Sequence, residues 1–168
     1  MTSETPEVIS AWRLTQAPFE GAQAAFSGEG AFRAGRRWNS RGVRVVYVAS
    51  SIALASLEIL VNLEDVQTLR THYSAYQILF PATMLQTIVP NGDLSGLPDD
   101  WATNPKPPSA KAVGDAWVKQ AASAVLEVPS AVIPLERNYL LNPAHPDFKL
   151  ITIKEAVRYA FDPRIVPG

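Results

Sequence analysis

The sequence predicts an α+β domain in which a mixed β-sheet is flanked by helices. Residues 43–49 are rich in β-branched side chains, which favour strands. Residues 51–63 and 112–126 carry apolar side chains at helical spacing. The strand-like segments do not alternate regularly with helical ones, so we expect a mixed sheet and not a strand–helix–strand repeat.

The composition indicates one globular domain over residues 1–168. Hydrophobic residues make up 47% of the chain and charged residues 18%, which is enough to build a core. A net charge of −1 argues against direct nucleic-acid binding. The absence of cysteine excludes disulfides, thiolate metal sites and a cysteine nucleophile. The acidic start does not resemble a secretory signal and the apolar run 45–61 is too short to span a membrane, so we expect a cytoplasmic protein.

In the first half, the predicted elements follow a turn at Arg41-Gly42. A strand at 43–49 would place alternate side chains on opposite faces. Ser50 or Ser51 can cap the following helix, 51–63, which is apolar nearly all round and is expected to be buried. Alternation favours a strand within 69–80, and 82–89 is compatible with another.

The segment 90–111 is rich in proline and glycine, which excludes one regular element. Either half of the chain alone would be too small for a good core, so we interpret this segment as a long surface excursion within one domain. After it we predict a helix at 112–126 and a strand at 128–135 that is entered through Pro129. A strand at 149–153 and a short helix at 153–159 complete the predicted elements.

Glu58 is the residue whose setting most needs an explanation. On the predicted helix its neighbours are Leu54, Ala55, Val61 and Asn62, so a carboxylate lies within an apolar surface. An unpaired buried charge is costly, and the group must find a partner or take up a proton. A scaffold ion pair or a place at the helix edge explains it as well as a functional site does.

The segment 35–40 places two guanidinium groups beside Trp38 and Asn39, directly after a glycine. Such forks bind phosphate or carboxylate oxygens in pairs, although a solvated basic turn anchored by Trp38 is the simpler account. Tyr47 lies near the end of the predicted strand. Its ring could pack in the core or stack on a flat heterocycle.

The remaining polar residues point to no standard catalytic motif. His72 and His145 form no paired-histidine pattern, so no metal is expected. His145 lies in a stiff proline-containing loop, where it could form loop hydrogen bonds or touch a ligand. Ser130 lies in no Gly-x-Ser-x-Gly elbow, which argues against serine-hydrolase chemistry. Walker-type and Gly-x-Gly-x-x-Gly loops are absent from the sequence.

A series of short segments, covering nearly the whole chain, carries a family resemblance through its order and spacing: 12–14, 27–31, 35–42, 45–49, 53–58, 97–101, 114–117, 128–132, 142–146 and 161–164. Together they resemble the RES family, which is named for its Arg, Glu and Ser. One departure is Arg36, where the family more often has glycine. We expect this difference to change the stiffness of the loop more than its chemistry.

The resemblance implies a fold similar to that of ADP-ribosylating toxins and an enzyme that cleaves NAD at the nicotinamide–ribose bond. It implies that Arg37, Tyr47, Glu58 and Ser130 are catalytic. We expect Tyr47 to stack on nicotinamide and Glu58 to stabilise the oxocarbenium-like ribose. The residues expected to contact NAD are Arg13, Arg37, Asn39, Tyr47, Ser130 and His145.

The resemblance also implies a toxin whose partner is an Xre-like helix-turn-helix antitoxin that blocks the active site. NAD is expected as substrate, without a permanently bound cofactor or a metal. A homodimer within a larger toxin–antitoxin complex is compatible with this reading, whereas membrane and direct nucleic-acid binding are not expected. The acceptor of ADP-ribose is open between water, phosphate and a protein side chain. The alternatives are a protein mono-ADP-ribosyltransferase and a non-catalytic antitoxin-binding module.

Overall fold

The centre of the fold is an eight-stranded sheet, seen in a computed structural model that describes residues 6–16 and 21–165. The strands are β1 (Val8–Thr15), β2 (Val46–Ala49), β3 (Tyr73–Pro81), β4 (Leu85–Thr87), β5 (Val125–Pro129), β6 (Arg137–Leu141), β7 (Thr152–Ile153) and β8 (Val157–Tyr159). The helices are α1 (Ala22–Ala25), α2 (Glu29–Ala34), α3 (Ile52–Leu60) and α4 (Pro108–Gln120).

The strand order is β4-β5-β6-β2-β1-β3-β7, and β8 also pairs with β3. Strands β4 and β5 are parallel, and the other neighbouring pairs are antiparallel. This arrangement confirms the predicted α+β class with a mixed sheet. Because β4 pairs with β5 and β2 with β6, the two sides of the segment 90–111 contribute to the same sheet.

Both faces of the sheet are covered by apolar side chains. Val46 and Val48 of β2 pack in the core on one face, while Tyr47 packs against the core on the other. Alternate residues of β2 therefore occupy opposite faces, as predicted. The strand itself begins at Val46 and is shorter than the predicted 43–49.

Helix α3 follows β2 as predicted, and Ser51 is its N-cap: the Ser51 Oγ accepts a hydrogen bond from the Leu54 N–H at 3.0 Å. Its extent and burial differ from the prediction. It ends at Leu60, and Ala53 and Val61 are exposed. Only Leu54, Ala55 and Ser56 of the helix are buried, and its other residues are partly or fully exposed.

The strand predicted within residues 69–80 is confirmed as β3, whereas the strand predicted at 82–89 is shorter than expected. A 3₁₀ helix at Val66–Arg70 precedes β3, and another at Ala82–Met84 leaves only Leu85–Thr87 for β4. Sequence reasoning missed β1 entirely, although it pairs with β3 over its whole length. It also missed β6, which lies between β5 and β2.

The predicted bounds of the helices and strands in the second half of the chain were wrong by several residues. Helix α4 covers Pro108–Gln120 and not 112–126, because Ala121 adopts a left-handed conformation and ends it. Strand β5 lies before the predicted 128–135, and Pro129 ends the strand instead of beginning it. The predicted strand 149–153 is confirmed only at Thr152–Ile153, which form β7, because residues 149–150 end a 3₁₀ helix; the predicted helix 153–159 contains strand β8.

The proline-rich segment 90–111 is more than a surface excursion. Trp101 is buried and stacks on Trp38 with ring centroids 5.8 Å apart, and Leu97 joins the same core. Helix α4 begins inside the segment at Pro108. None of the helices within residues 6–16 and 21–165 is long and apolar enough to cross a membrane.

Candidate active site

Glu58 lies on α3, and its carboxylate accepts hydrogen bonds from two neutral side chains, one directly after β5 and one on β6. Its Oε1 accepts from the Ser130 Oγ at 2.8 Å and from the Asn138 Nδ2 at 2.6 Å. Among the described residues Glu58 forms no ion pair. The carboxylate is therefore held by the neutral dipoles of a hydroxyl and an amide, and not by the scaffold ion pair considered for it.

Ser130 is buried and uses its whole hydrogen-bonding capacity inside the protein. Its Oγ donates to Glu58 and accepts from the N–H groups of Val132 and Ile133, each at 3.1 Å. A serine hydroxyl has one donor and two acceptor positions, so all three are occupied. The Ser130 hydroxyl thus holds one oxygen of Glu58, and the catalytic role of Ser130 and its contact with NAD stay predictions.

Arg37 is half-buried and is fixed by the segment that contains Trp101. Its Nη1 donates to the carbonyl oxygens of Trp101 and Thr103, each at 2.8 Å. Burial lowers the pKa of Arg37, while the charge of the nearby Glu58 carboxylate acts in the opposite direction. The Nε and Nη2 atoms make no hydrogen bond with described residues, which leaves that edge of the fork available to an anion.

Tyr47 and Asn39 form a buried hydrogen-bonded pair behind Arg37. The Tyr47 hydroxyl donates to the Asn39 Oδ1 at 2.8 Å and accepts from the Trp38 N–H at 3.1 Å. The Asn39 Nδ2 donates to three backbone carbonyl oxygens, and the residue is fully buried. Burial raises the pKa of Tyr47, so its phenol stays protonated. Asn39 thus fixes the Tyr47 hydroxyl, and its own contact with NAD stays a prediction.

We expect Tyr47→Phe to lower the free energy of unfolding by about 1–3 kcal/mol, since the Asn39 Oδ1 and the Trp38 N–H lose a buried partner. Urea denaturation measures this loss. Tyr139→Phe is the control, because the Tyr139 hydroxyl makes no hydrogen bond with residues in the described ranges. Equal losses for the two variants would contradict the assignment.

Arg13 and His145 are the remaining residues expected to contact NAD, and only Arg13 is hydrogen-bonded to Tyr47. The Arg13 Nη1 donates to the Tyr47 carbonyl at 2.7 Å and its Nε to the Ala25 carbonyl at 2.6 Å. Burial, reinforced by the charge of Arg36, lowers the pKa of Arg13 to about 10. His145 lies beyond the carboxyl end of β6, whereas Asn138 lies near the amino end of that strand. The His145 Nε2 is 3.1 Å from the Ala121 carbonyl oxygen. Its contact with NAD stays a prediction.

Helix α4 holds the Arg37 segment in place. A Cβ on Gly114 would lie 1.8 Å from the Trp38 carbonyl oxygen, so only glycine permits this approach. One residue later, the Asp115 Oδ1 accepts from the Ser40 N–H at 2.9 Å. Sequence reasoning included these residues in a motif but gave them no role, because the contact joins segments 75 positions apart.

Lys106 is a site residue that sequence reasoning missed. Its Nζ donates to the Asn62 Oδ1 at 3.2 Å, and the Asn62 Nδ2 donates to the Glu58 carbonyl at 2.7 Å. Burial lowers the pKa of Lys106, and three neighbouring cations lower it further: Arg36, Arg37 and Lys111. The Glu58 carboxylate acts in the opposite direction on the pKa of Lys106, as it does on that of Arg37, so two cations lie near one carboxylate, an arrangement suited to an anionic ligand.

Comparisons with known proteins agree on one family. The RES domain matches residues 10–162. "Toxin Res" of Yersinia enterocolitica is 34% identical over 143 residues, covering 84% of this chain and 91% of that protein. "Prs ADP-ribosylating toxin" of Sphingobium sp. is 35% identical over 159 residues, covering 94% and 96%.

A solved structure, the toxin–antitoxin complex MbcT-MbcA of M. tuberculosis, matches with a TM-score of 0.70 at 19% identity. The match covers 92% of this chain and 86% of the matched chain. At this identity the likeness establishes the fold, which is the toxin-like fold that the family resemblance implied. The fold and the sequence matches together show that the chain belongs to the RES domain family.

Proposed function

We propose that the chain is the toxin of a toxin–antitoxin pair and that it cleaves NAD at the nicotinamide–ribose bond. The observation that carries the proposal is the Glu58 carboxylate, which is held by the neutral donors of Ser130 and Asn138 beside a group of cations. The names of the relatives, toxins in each case and in one case an ADP-ribosylating toxin, support this assignment.

The carboxylate suits the chemistry of bond cleavage. Departure of nicotinamide takes the bonding electron pair with it and leaves positive charge on the ribose. A fixed carboxylate stabilises that charge, as one does in glycoside hydrolysis, or orients the incoming nucleophile. Because Ser130 and Asn138 already hold Glu58 in place, it needs little reorganisation as the charge develops.

The cations suit the pyrophosphate of NAD. The unused edge of the Arg37 fork and the Lys106 ammonium lie near Glu58 on separate segments of the chain. Guanidinium groups bind phosphate oxygens in pairs, whereas lysine acts as a point charge.

Tyr47 suits the nicotinamide ring. Its phenol stays protonated, and its hydroxyl is fixed by Asn39, so the aromatic ring has one orientation in which to stack on a flat heterocycle. Arg13 secures the Tyr47 backbone from the other side. In this proposal Arg13 and Asn39 support the ring and do not contact the substrate themselves.

A protein mono-ADP-ribosyltransferase is the second candidate. It uses the same bond cleavage but transfers ADP-ribose to a protein side chain, and the name of the Sphingobium relative favours it. For either activity we propose a cytoplasmic protein, with a partner antitoxin of the Xre-like helix-turn-helix type that covers the site. The toxin–antitoxin complex of the structural neighbour supports such a partner.

Product analysis tests the function directly. The purified chain, free of antitoxin, is incubated with NAD in buffer, with inorganic phosphate and with a cell protein extract. We expect NAD to be consumed. Free ADP-ribose indicates hydrolysis, its phosphate ester indicates phosphorolysis, and a labelled protein indicates transfer. Intact NAD under all three conditions would contradict the enzymatic proposal and favour a non-catalytic antitoxin-binding module.

A further inference from the structure

The two oxygens of the Glu58 carboxylate have different surroundings. Oε1 receives both hydrogen bonds, from Ser130 and Asn138, whereas Oε2 receives none from residues that the structure describes. We propose that Asn138 is a positioning residue which, together with Ser130, holds Oε1 so that Oε2 is the oxygen presented to the ribose of the substrate. The proposal rests on the proposed cleavage of NAD and adds a residue to that site.

The sheet register explains why Asn138 reaches Glu58. Asn138 lies opposite Ala49 of β2 and opposite Val128 of β5. Ala49 is the last residue of the strand that leads into α3, and the Ser50 N–H donates to the Arg137 carbonyl at 3.0 Å. The amino end of β6 is therefore tied directly to the start of the helix that carries Glu58.

Strand alternation brings Ser130 to the same place. Val128 and Leu140 pack in one core, on the face of the sheet that Tyr47 also contacts. Asn138 is two residues before Leu140 and Ser130 is two residues after Val128, so both project from that face. Strand β6 and the residue directly after β5 thus each bring one donor to a single carboxylate oxygen.

The chemistry of the two donors fits a positioning role. An amide NH₂ and a hydroxyl donate hydrogen bonds without carrying charge, so they orient a carboxylate and leave its negative charge in place. An arginine in either position would neutralise that charge. The charged groups near Glu58 are the cations Arg37 and Lys106, which also have the pyrophosphate to bind under the proposed function.

Asn138→Ala and Asn138→Asp test the proposal through steady-state cleavage of NAD. We expect Asn138→Ala to lower kcat about 100-fold with little change in KM, the loss that follows when a reacting group moves by about 1 Å. Gln77→Ala is the control, since Gln77 is a half-buried amide on β3 that donates to the Ser10 Oγ and not to Glu58. We expect it to keep the parent's kcat.

Asn138→Asp is nearly isosteric, and it tests the proposal through the pH profile of kcat. A purely structural role of Asn138 would leave that profile unchanged. The substitution places a second carboxylate against Glu58, and two carboxylates that share a site retain a proton to higher pH. We therefore expect the acid limb of the pH profile of kcat to move to higher pH, and kcat to stay below the parent's above it because an ionised carboxylate cannot donate to Oε1. This variant remains informative if Asn138→Ala does not fold.

A measurement without turnover separates this proposal from the function it rests on. The Glu58 carboxyl carbon is followed by ¹³C NMR during a pH titration of the parent and of Asn138→Asp. We expect the Glu58 signal to titrate at higher pH in the variant. An unchanged titration, or a kcat for Asn138→Ala equal to the parent's, would overturn the role of Asn138. Intact NAD with the parent would overturn only the function.

Discussion

Glu58→Gln is expected to reduce NAD cleavage by about 10²–10³-fold, because it removes the negative charge that stabilises the ribose cation. The substitution keeps the size of the side chain. Ser130 and Asn138 can still donate to the amide oxygen that replaces Oε1, so the helix and the sheet keep their contacts. We therefore expect the urea midpoint of unfolding to stay close to that of the parent, and kcat to carry the loss.

The matched control is Glu64→Gln, which makes the same change at an exposed position just after α3. It should cleave NAD at the parent's rate. In cells, expression of Glu58→Gln should no longer arrest growth, while Glu64→Gln should remain toxic. If Glu58→Gln is as active and as toxic as the parent, Glu58 belongs to the scaffold and the proposed mechanism is wrong.

The second large effect is expected from Gly114→Ala in α4. Helix propensity alone favours alanine over glycine by about 1 kcal/mol. Here the added methyl would lie 1.8 Å from the Trp38 carbonyl oxygen, a backbone atom that cannot rotate away. Overpacking of this kind costs about 1–3 kcal/mol, occasionally more, so the clash outweighs propensity and the free energy of unfolding falls.

The rate of NAD cleavage by Gly114→Ala should fall together with its free energy of unfolding. Relief of the clash moves α4 away from the Arg37 segment and weakens the Asp115–Ser40 hydrogen bond. Denaturant unfolding and NAD cleavage measure the two losses. Gly96→Ala is the control: a Cβ there meets nothing within 4 Å, and the residue is exposed. A Gly114→Ala variant at least as stable as Gly96→Ala would show that α4 does not pack as described.

Elements whose signals are local were predicted well. The Ser51 cap and α3 depend on contacts within one turn, and the alternation of Tyr47 with its neighbours depends only on the geometry of a strand. Elements that depend on distant partners were missed or displaced. In β6, the polar residues Arg137 and Asn138 precede Leu140 and hide the strand pattern, although the pairing of β6 with β2 and β5 decides its conformation.

The candidate site shows the same division. Glu58 attracts attention from sequence because a carboxylate in an apolar helix needs a partner, but its partners are 72 and 80 residues away in Ser130 and Asn138. Lys106 belongs to a proline-rich segment that carries no sequence signal for a ligand. Only the folded chain brings it beside Asn62 and near Arg37, and this placement suggested the role that we propose for it.

By itself the sequence determined the α+β class, the helix that carries Glu58 and, through ordered motifs, the RES family. These follow from local spacing and residue type. Only the tertiary structure decided which groups meet. The register of β2, β5 and β6 directs Ser130 and Asn138 to one oxygen, and the close approach at Gly114 fixes the Arg37 segment. Both depend on packing between segments far apart in the chain, which no local pattern encodes.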